Sequence, residues 1–182
     1  MKINRSSFAF PFAVLLATVS VAATAQALPS GKKSPEENAN EATRAYNLGV
    51  EHQQRADNLL ARSDSAKAAK EFKVALKQYD KTVKLNPDFP EAWNNLGYCR
   101  RNLGDYTRAL AAYDQALKLK PDFPEAMEYR GVALVRLGRM DEAMVQYNQL
   151  KALDSTQAAE LLEAIRKSPG AKSIQSAQTP QR

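Results

Sequence analysis

The 182-residue chain is 44% hydrophobic, 25% charged and 8% aromatic, the balance of a globular protein rather than a disordered or membrane-embedded one. Its single histidine, His52, and single cysteine, Cys99, exclude an intramolecular disulfide and a zinc site built on His and Cys, leaving only an all-carboxylate metal site open. The net charge of +6, from 26 Lys+Arg against 20 Asp+Glu, permits an acidic partner without demanding one.

Lys2 and Arg5 precede the apolar run of residues 8–17, and Ala23-Thr24-Ala25 and Ala25-Gln26-Ala27 follow it. Positive start, apolar run and small-x-small sites are the order of a secretory signal peptide, expected over residues 1–27 with cleavage near Ala25 or Ala27 and a periplasmic or secreted product. The run is shorter than the roughly 20 residues that span a bilayer. An uncleaved anchor is the alternative reading, and the one route by which the sequence reaches a membrane. No cysteine stands near the cleavage region, which excludes a lipid anchor there. Residues 28–41 read as a linker that runs into a first helix. Ser34-Pro35-Glu36-Glu37 is a capping-box pattern with Pro at the first helical position, so that helix starts near 35 or near 42.

Over 42–89 a helix carries Tyr46-Asn47-Leu48-Gly49, with His52 on the stripe of Ala45, Leu48, Ala56 and Leu59 and read as a packed histidine. Ser63-Asp64-Ser65 supplies three capping residues for a turn, and a second helix follows with Ala75, Tyr79 and Leu85. On it Lys67, Lys70, Lys73, Lys77, Lys81 and Lys84 recur every three or four residues, within about 120° of the helix surface, opposite Phe72, Ala75, Leu76, Tyr79 and Val83. Over 90–123 the stripe Trp93, Leu96, Arg100 and Leu103 is broken by Gly104-Asp105 and resumes as Ala109, Leu110, Tyr113, Ala116 and Leu117. Residues 124–157 repeat this with Met127, Gly131, Gly138, Met140, Ala143 and Tyr147. A final helix over 156–167, capped by Asp154-Ser155-Thr156, carries Ala159, Leu162 and Ile165. Beyond it, residues 168–182 are rich in Pro, Gly, Ser and Gln and are expected to be disordered.

Pro87-Asp88-Phe89-Pro90-Glu91-Ala92 returns 34 residues later as Pro121-Asp122-Phe123-Pro124-Glu125-Ala126, and the apolar and small positions around it return at the same offset. The period, with a large residue before Leu96-Gly97, then Ala109, Tyr113 and a closing Pro121, resembles the tetratricopeptide repeat. That resemblance implies an all-α fold, a short right-handed superhelical solenoid of three helix–turn–helix hairpins plus a C-terminal capping helix. Arg100, Arg130 and Ser155 depart from the family pattern. The unit at 42–89 is stretched: Gly49 and Ala75 are 26 residues apart where Gly97 and Ala109 are 12 apart, so 14 extra residues would lengthen each helix by about two turns. Gly97 and Gly131 sit mid-helix, which implies a close neighbour, expected to be the second helix of the same hairpin, presenting Ala109 or Ala143.

The sequence carries no P-loop, dinucleotide fingerprint or nucleophile elbow, so it reads as no enzyme, with no cofactor and no metal. Cys99 reads as a buried small residue. In tetratricopeptide repeats the first helices line a concave groove that binds peptide segments of partner proteins. Carried over by position, the resemblance places Tyr46, Asn47 and Val50 there, then Asn94, Asn95, Tyr98, Arg101 and Asn102, then Glu128, Tyr129, Val132 and Arg136. The carboxylate clamp for acidic chaperone tails is matched by Asn95 alone; Tyr46, Val50, Glu125 and Tyr129 stand at its other positions. The function expected is a protein–protein interaction adaptor or scaffold of the cell envelope with a protein or peptide partner and no nucleic acid. Two alternatives stay open: binding of acidic envelope polymers or proteins through the lysine ridge, and self-assembly into a homo-oligomer.

Overall fold

In the computed structural model, which describes residues 33–169, every regular element is a helix. They are α1 (Pro35–Ala61), α2 (Ser65–Leu85), α3 (Pro90–Asn102), α4 (Tyr106–Leu119), α5 (Pro124–Arg136), α6 (Met140–Leu153) and α7 (Ser155–Lys167). Three hairpins, α1/α2, α3/α4 and α5/α6, stack in chain order, and α7 closes the stack against α5 and α6. The reading of residues 1–27 as a signal peptide and that of the tail past Pro169 lie outside the described residues.

The helix ends follow from local chemistry. At α1, Ser34 Oγ accepts from the Glu37 amide at 3.1 Å while Glu37 Oε2 accepts from the Ser34 amide at 2.7 Å, a reciprocal capping box with Pro35 at the first helical position. The three hairpin turns repeat one geometry. Ser63, Gly104 and Gly138 take positive φ of 61°, 83° and 73°. The next amide, of Asp64, Asp105 or Arg139, then donates back to the carbonyl of Leu59, Arg100 or Leu134 at 2.9 Å. Asp64 and Asp105 go on to cap the following helix, accepting from Lys67 N at 3.2 Å and Arg108 N at 3.3 Å.

The first hairpin is longer than the others by whole turns. α2 has 21 residues against 14 in α4, and α1 has 27 against 13 in α3. α2 is thus seven residues longer, nearly two turns of 3.6, and α1 fourteen, nearly four turns, seven of them before Ala42, so the packing faces keep their register. Gly49 consequently meets Tyr79 as Gly97 meets Tyr113: a Cβ on either glycine would lie 2.7 or 2.6 Å from a ring carbon. The neighbour of Gly97 is thus the second helix of its own hairpin, as expected, but through the Tyr113 ring rather than Ala109. At Gly131 the neighbour is Leu161 of α7, not Ala143, because the closing helix presses on α5.

The buried face of α7 is Ala158, Leu161 and Ile165, so the face expected from Ala159 and Leu162 is turned by one residue. Leu161 seats against Gly131 of α5 in that rotation, and Asp154 caps the helix by accepting from both Thr156 N and Gln157 N, at 2.9 and 3.0 Å. Leu48 also departs from expectation. It is 39% exposed, while Gly49 takes the buried position beside Ala45 and Ala56, because no described helix stacks in front of α1. The core runs between hairpins: Phe72, Ala75, Tyr79 and Val83 pack with Ala92, Leu96 and Cys99, and Tyr113, Leu134, Leu150 and Leu161 form the next cluster.

Candidate interaction site

The face shared by α1, α3 and α5 carries most of the residues singled out in the sequence, and it is knitted together by its own side chains. Asn95 Nδ2 donates to the hydroxyls of Tyr46 and Tyr79, both at 3.3 Å, and Tyr79 in turn donates to Gln53 Oε1 at 2.9 Å. Tyr46 stacks on Phe89 at 4.6 Å between ring centroids. Its hydroxyl is held above its ordinary value by burial, with Glu91 adding to the effect. Asn102 Nδ2 donates to the Tyr98 carbonyl at 3.0 Å. The N–H groups of Asn95 and Asn102 are therefore engaged within the fold, which leaves their carbonyl oxygens for a ligand. Asn47 is exposed, whereas Asn94 is 5% exposed with Oδ1 unpartnered. The expectation that Asn94 lines an open surface is corrected: packing in the helix stack covers it.

At the centre, Arg101 of α3 lies over two rings, 5.1 Å from the centroid of Tyr98 and 4.9 Å from that of Tyr129. The two rings are 5.2 Å apart, so a cation–aromatic stack bridges α3 and α5. The Tyr98 hydroxyl donates to Asp57 Oδ1 at 2.8 Å. Asp57 belongs to the two turns that lengthen α1, and burial pushes its carboxyl up against the opposing pull of Tyr98 and Arg101. Glu128, one residue before Tyr129, is 8% exposed. Burial raises its carboxyl from 4.5 to about 7; Arg101 opposes the shift and Glu160 of α7 adds to it. Val132 and Arg136 continue the same side of α5 into a cleft of about 490 Å³ shared with Ala164 and Lys167 of α7. Arg136 sits 5.9 Å from the Tyr106 ring centroid.

The lysine ridge of α2 is exposed along its length, but its members differ. Lys67 pairs with Asp64 at 2.8 Å, Lys81 with Glu41 at 2.7 Å and Lys84 with Asp80 at 2.5 Å. Among the described residues no such carboxylate partner stands beside Lys70, Lys73 or Lys77. Lys73 and Lys77 line a cleft of about 470 Å³ together with Arg100 and Arg108 and with the carboxylates Asp80 and Asp105. His52 is half-buried between α1 and α2, with Nδ1 2.6 Å from Glu71 Oε2, so a carboxylate holds it in the hairpin interface. Cys99 is fully buried, and burial pushes its thiol well up. Arg130 bridges Asp114 and Gln146 at 2.7 and 3.0 Å. Among the described residues no group of three or more His, Cys, Asp or Glu is placed to hold a metal ion, and no helix is long and apolar enough to cross a membrane.

Asp57 and Glu160 were not among the residues expected at this face. Asp57 lies in turns with no counterpart in the other repeats, although the spacing 46, 50, 53, 57 does put it on one helical face with Tyr46. Glu160 is hidden from sequence by the one-residue rotation of α7.

The helical hairpins and their 34-residue recurrence define a solenoid of interaction repeats. The pattern of the tetratricopeptide repeat matches residues 54–122 and 100–158, and the chain belongs to that family. No curated protein matches it. Among solved structures, the Arabidopsis OM64 TPR domain aligns with a TM-score of 0.57 at 19% identity, covering 71% of this chain and 98% of that one. The TPR2B domain of yeast Sti1, solved as a pHsp70 complex, gives 0.56 at 18%, covering 75% and 98%. The second TPR domain of human RPAP3, in complex with an HSP70 peptide, gives 0.54 at 18%, covering 74% and 100%. At such identities the likeness is one of fold.

Proposed function

We propose that this protein is a non-catalytic adaptor of the cell envelope that holds a segment of a partner protein along the concave face of α1, α3 and α5. The observation that carries the reading is the Tyr98–Arg101–Tyr129 stack, a rigid aromatic and cationic surface that bridges two repeats. Tyr and Arg give large contact area at low entropic cost and dominate binding hot spots. The HSP70 peptide complex of the human RPAP3 domain, with the pHsp70 complex of yeast Sti1 beside it, supports the use of this fold for segment binding. The acidic chaperone tail is not the ligand proposed, since Glu125 and Tyr129 stand where that clamp needs basic groups. Export rests on Lys2, Arg5, the run of residues 8–17 and the small-x-small sites that follow.

Affinity capture from an envelope extract tests the reading. The wild-type bait runs beside a Tyr98→Ala/Asn95→Ala variant and a variant with Lys70, Lys73 and Lys77 changed to Gln. Loss of a partner from the first variant alone supports the groove; identical captures from all three contradict it. A second reading, docking of an acidic partner on the α2 ridge, draws on Lys73 and Lys77 sharing a cleft with Arg100 and Arg108. Loss from the lysine variant alone would move the function there.

A further inference from the structure

Glu128 is the one buried carboxylate among the described residues. Buried carboxylates are normally ion-paired or hydrogen-bonded, because removing one from water without a partner is costly. Glu128 is 8% exposed, and among the described residues it makes neither a hydrogen bond nor an ion pair. Thr82 and Gln146, also buried, each have a hydrogen-bond partner. The charged groups that act on Glu128 are Arg101 of α3 and Glu160 of α7; Tyr113 of α4 and Tyr129 of α5 are its titratable neighbours. Arg101 lies over the Tyr98 and Tyr129 rings and opposes the shift of Glu128 only in part, forming no ion pair with it.

The sign of charge at this centre is opposite to that of the chain. The protein carries +6 overall, yet Asp57 of α1 and Glu128 of α5 both feel the one arginine, Arg101, and Glu160 of α7 adds its negative charge to Glu128. Glu125 adds a further carboxylate near Tyr129. A segment laid along this face would run over the Tyr98 and Tyr129 rings and bring its own charge to Glu128.

We propose that Glu128, with Glu160 on the facing helix, receives a cationic side chain, a lysine or arginine, of the partner segment. This rests on the reading of the face as a segment-binding groove. It commits that groove to a basic ligand. The bound cation supplies the direct ion pair that Arg101 does not make with Glu128, and the flanking tyrosine rings cover its aliphatic stem. Binding selects the ionised carboxylate and releases a proton wherever Glu128 is protonated in the free protein.

Fluorescence polarisation with three labelled decapeptides, alternating Ala with Lys, Glu or Ser, tests this on the purified chain. The lysine peptide is expected to bind best, and roughly tenfold more tightly at pH 8 than at pH 6, as Glu128 ionises near pH 7. Glu128→Gln is near-isosteric and removes a buried charge, so it preserves the fold, checked by circular dichroism. It should weaken the lysine peptide about tenfold at pH 8 and flatten the pH profile. Glu160→Gln, on the exposed side, should weaken it by a smaller factor. Changing Lys70, Lys73 and Lys77 to Gln should leave lysine-peptide binding unchanged or improved. Preference for the glutamate peptide, binding of none of the three, or an unchanged Glu128→Gln variant overturns the proposal. If Tyr98→Ala/Asn95→Ala releases the captured partner while Glu128→Gln retains it, the groove stands and the basic ligand falls. Self-association lost in Glu128→Gln, with no peptide bound, would put a second copy in place of the partner and also overturns it.

Discussion

Ser63 holds, at φ 61°, the turn position that glycine holds at Gly104 and Gly138. A side chain in the left-handed region costs about 1 kcal/mol, and glycine does not bear it. Ser63→Gly should therefore stabilise the protein by about 0.5–1 kcal/mol in urea unfolding, with no change in helix content. Gly97→Ala should act the other way. Helix propensity returns about 1 kcal/mol, but the new Cβ would stand 2.6 Å from the fully buried Tyr113 ring, and overpacking of that kind costs about 1–3 kcal/mol. The third residue is Glu128, whose carboxyl is raised from 4.5 to about 7 by burial. The folded state then binds more protons than the unfolded state between those values, so this group lowers stability as pH rises from about 4.5 and the full penalty stands above 7. Glu128→Gln should be more stable than wild type by on the order of 2 kcal/mol at pH 8, and the gain should fade toward pH 5. A stability gain joined to weaker binding would mark Glu128 as a residue retained for its ligand.

At the scale of the element, the lengthened first hairpin is what ties the binding face to the N-terminal repeat. Its extra turns carry Asp57 to the Tyr98 hydroxyl at 2.8 Å. A double-mutant cycle of Asp57→Ala and Tyr98→Phe should give a coupling of about 1 kcal/mol by thermal unfolding, the range of directly interacting pairs. Additive effects would mean that the long hairpin does not support the face. α7 closes the other end, and Leu161, 0% exposed and set against Gly131, anchors it. The hairpin pattern is legible in sequence because period 3.6 stripes and Gly104-Asp105 breaks report burial and turn geometry that belong to each repeat alone. The 14-residue stretch is legible for the same reason, since whole turns leave the Gly49–Tyr79 contact in register. The face of α7 is not legible. Ala158/Leu161 and Ala159/Leu162 satisfy helical spacing equally, and the choice is made by a tertiary fit against Gly131 and by the cap at Asp154. Nor does the chain reveal which amides are free: Asn94 and Asn95 are neighbours in sequence, yet one is buried with Oδ1 unpartnered and the other is bonded to Tyr46 and Tyr79.

Across the whole molecule, charge is sorted by face. The exposed lysines of α2 carry the basic surplus, and carboxylates gather around Arg101 on the face of the first helices. Partner docking on the ridge would involve solvent-exposed charges and weaken steeply with salt, whereas contacts at the half-buried Tyr98–Arg101–Tyr129 centre are screened much less. The adaptor reading requires that the partner touch this centre. A photo-crosslinking amino acid placed at Tyr129 and, in a separate variant, at Lys73 compares the two faces directly in the envelope extract, with peptide mapping of the adduct. Crosslinks from position 129 to one segment of a partner protein, absent or far weaker from position 73, are the predicted result. Adducts from position 73 alone would contradict the account and move the binding surface to α2.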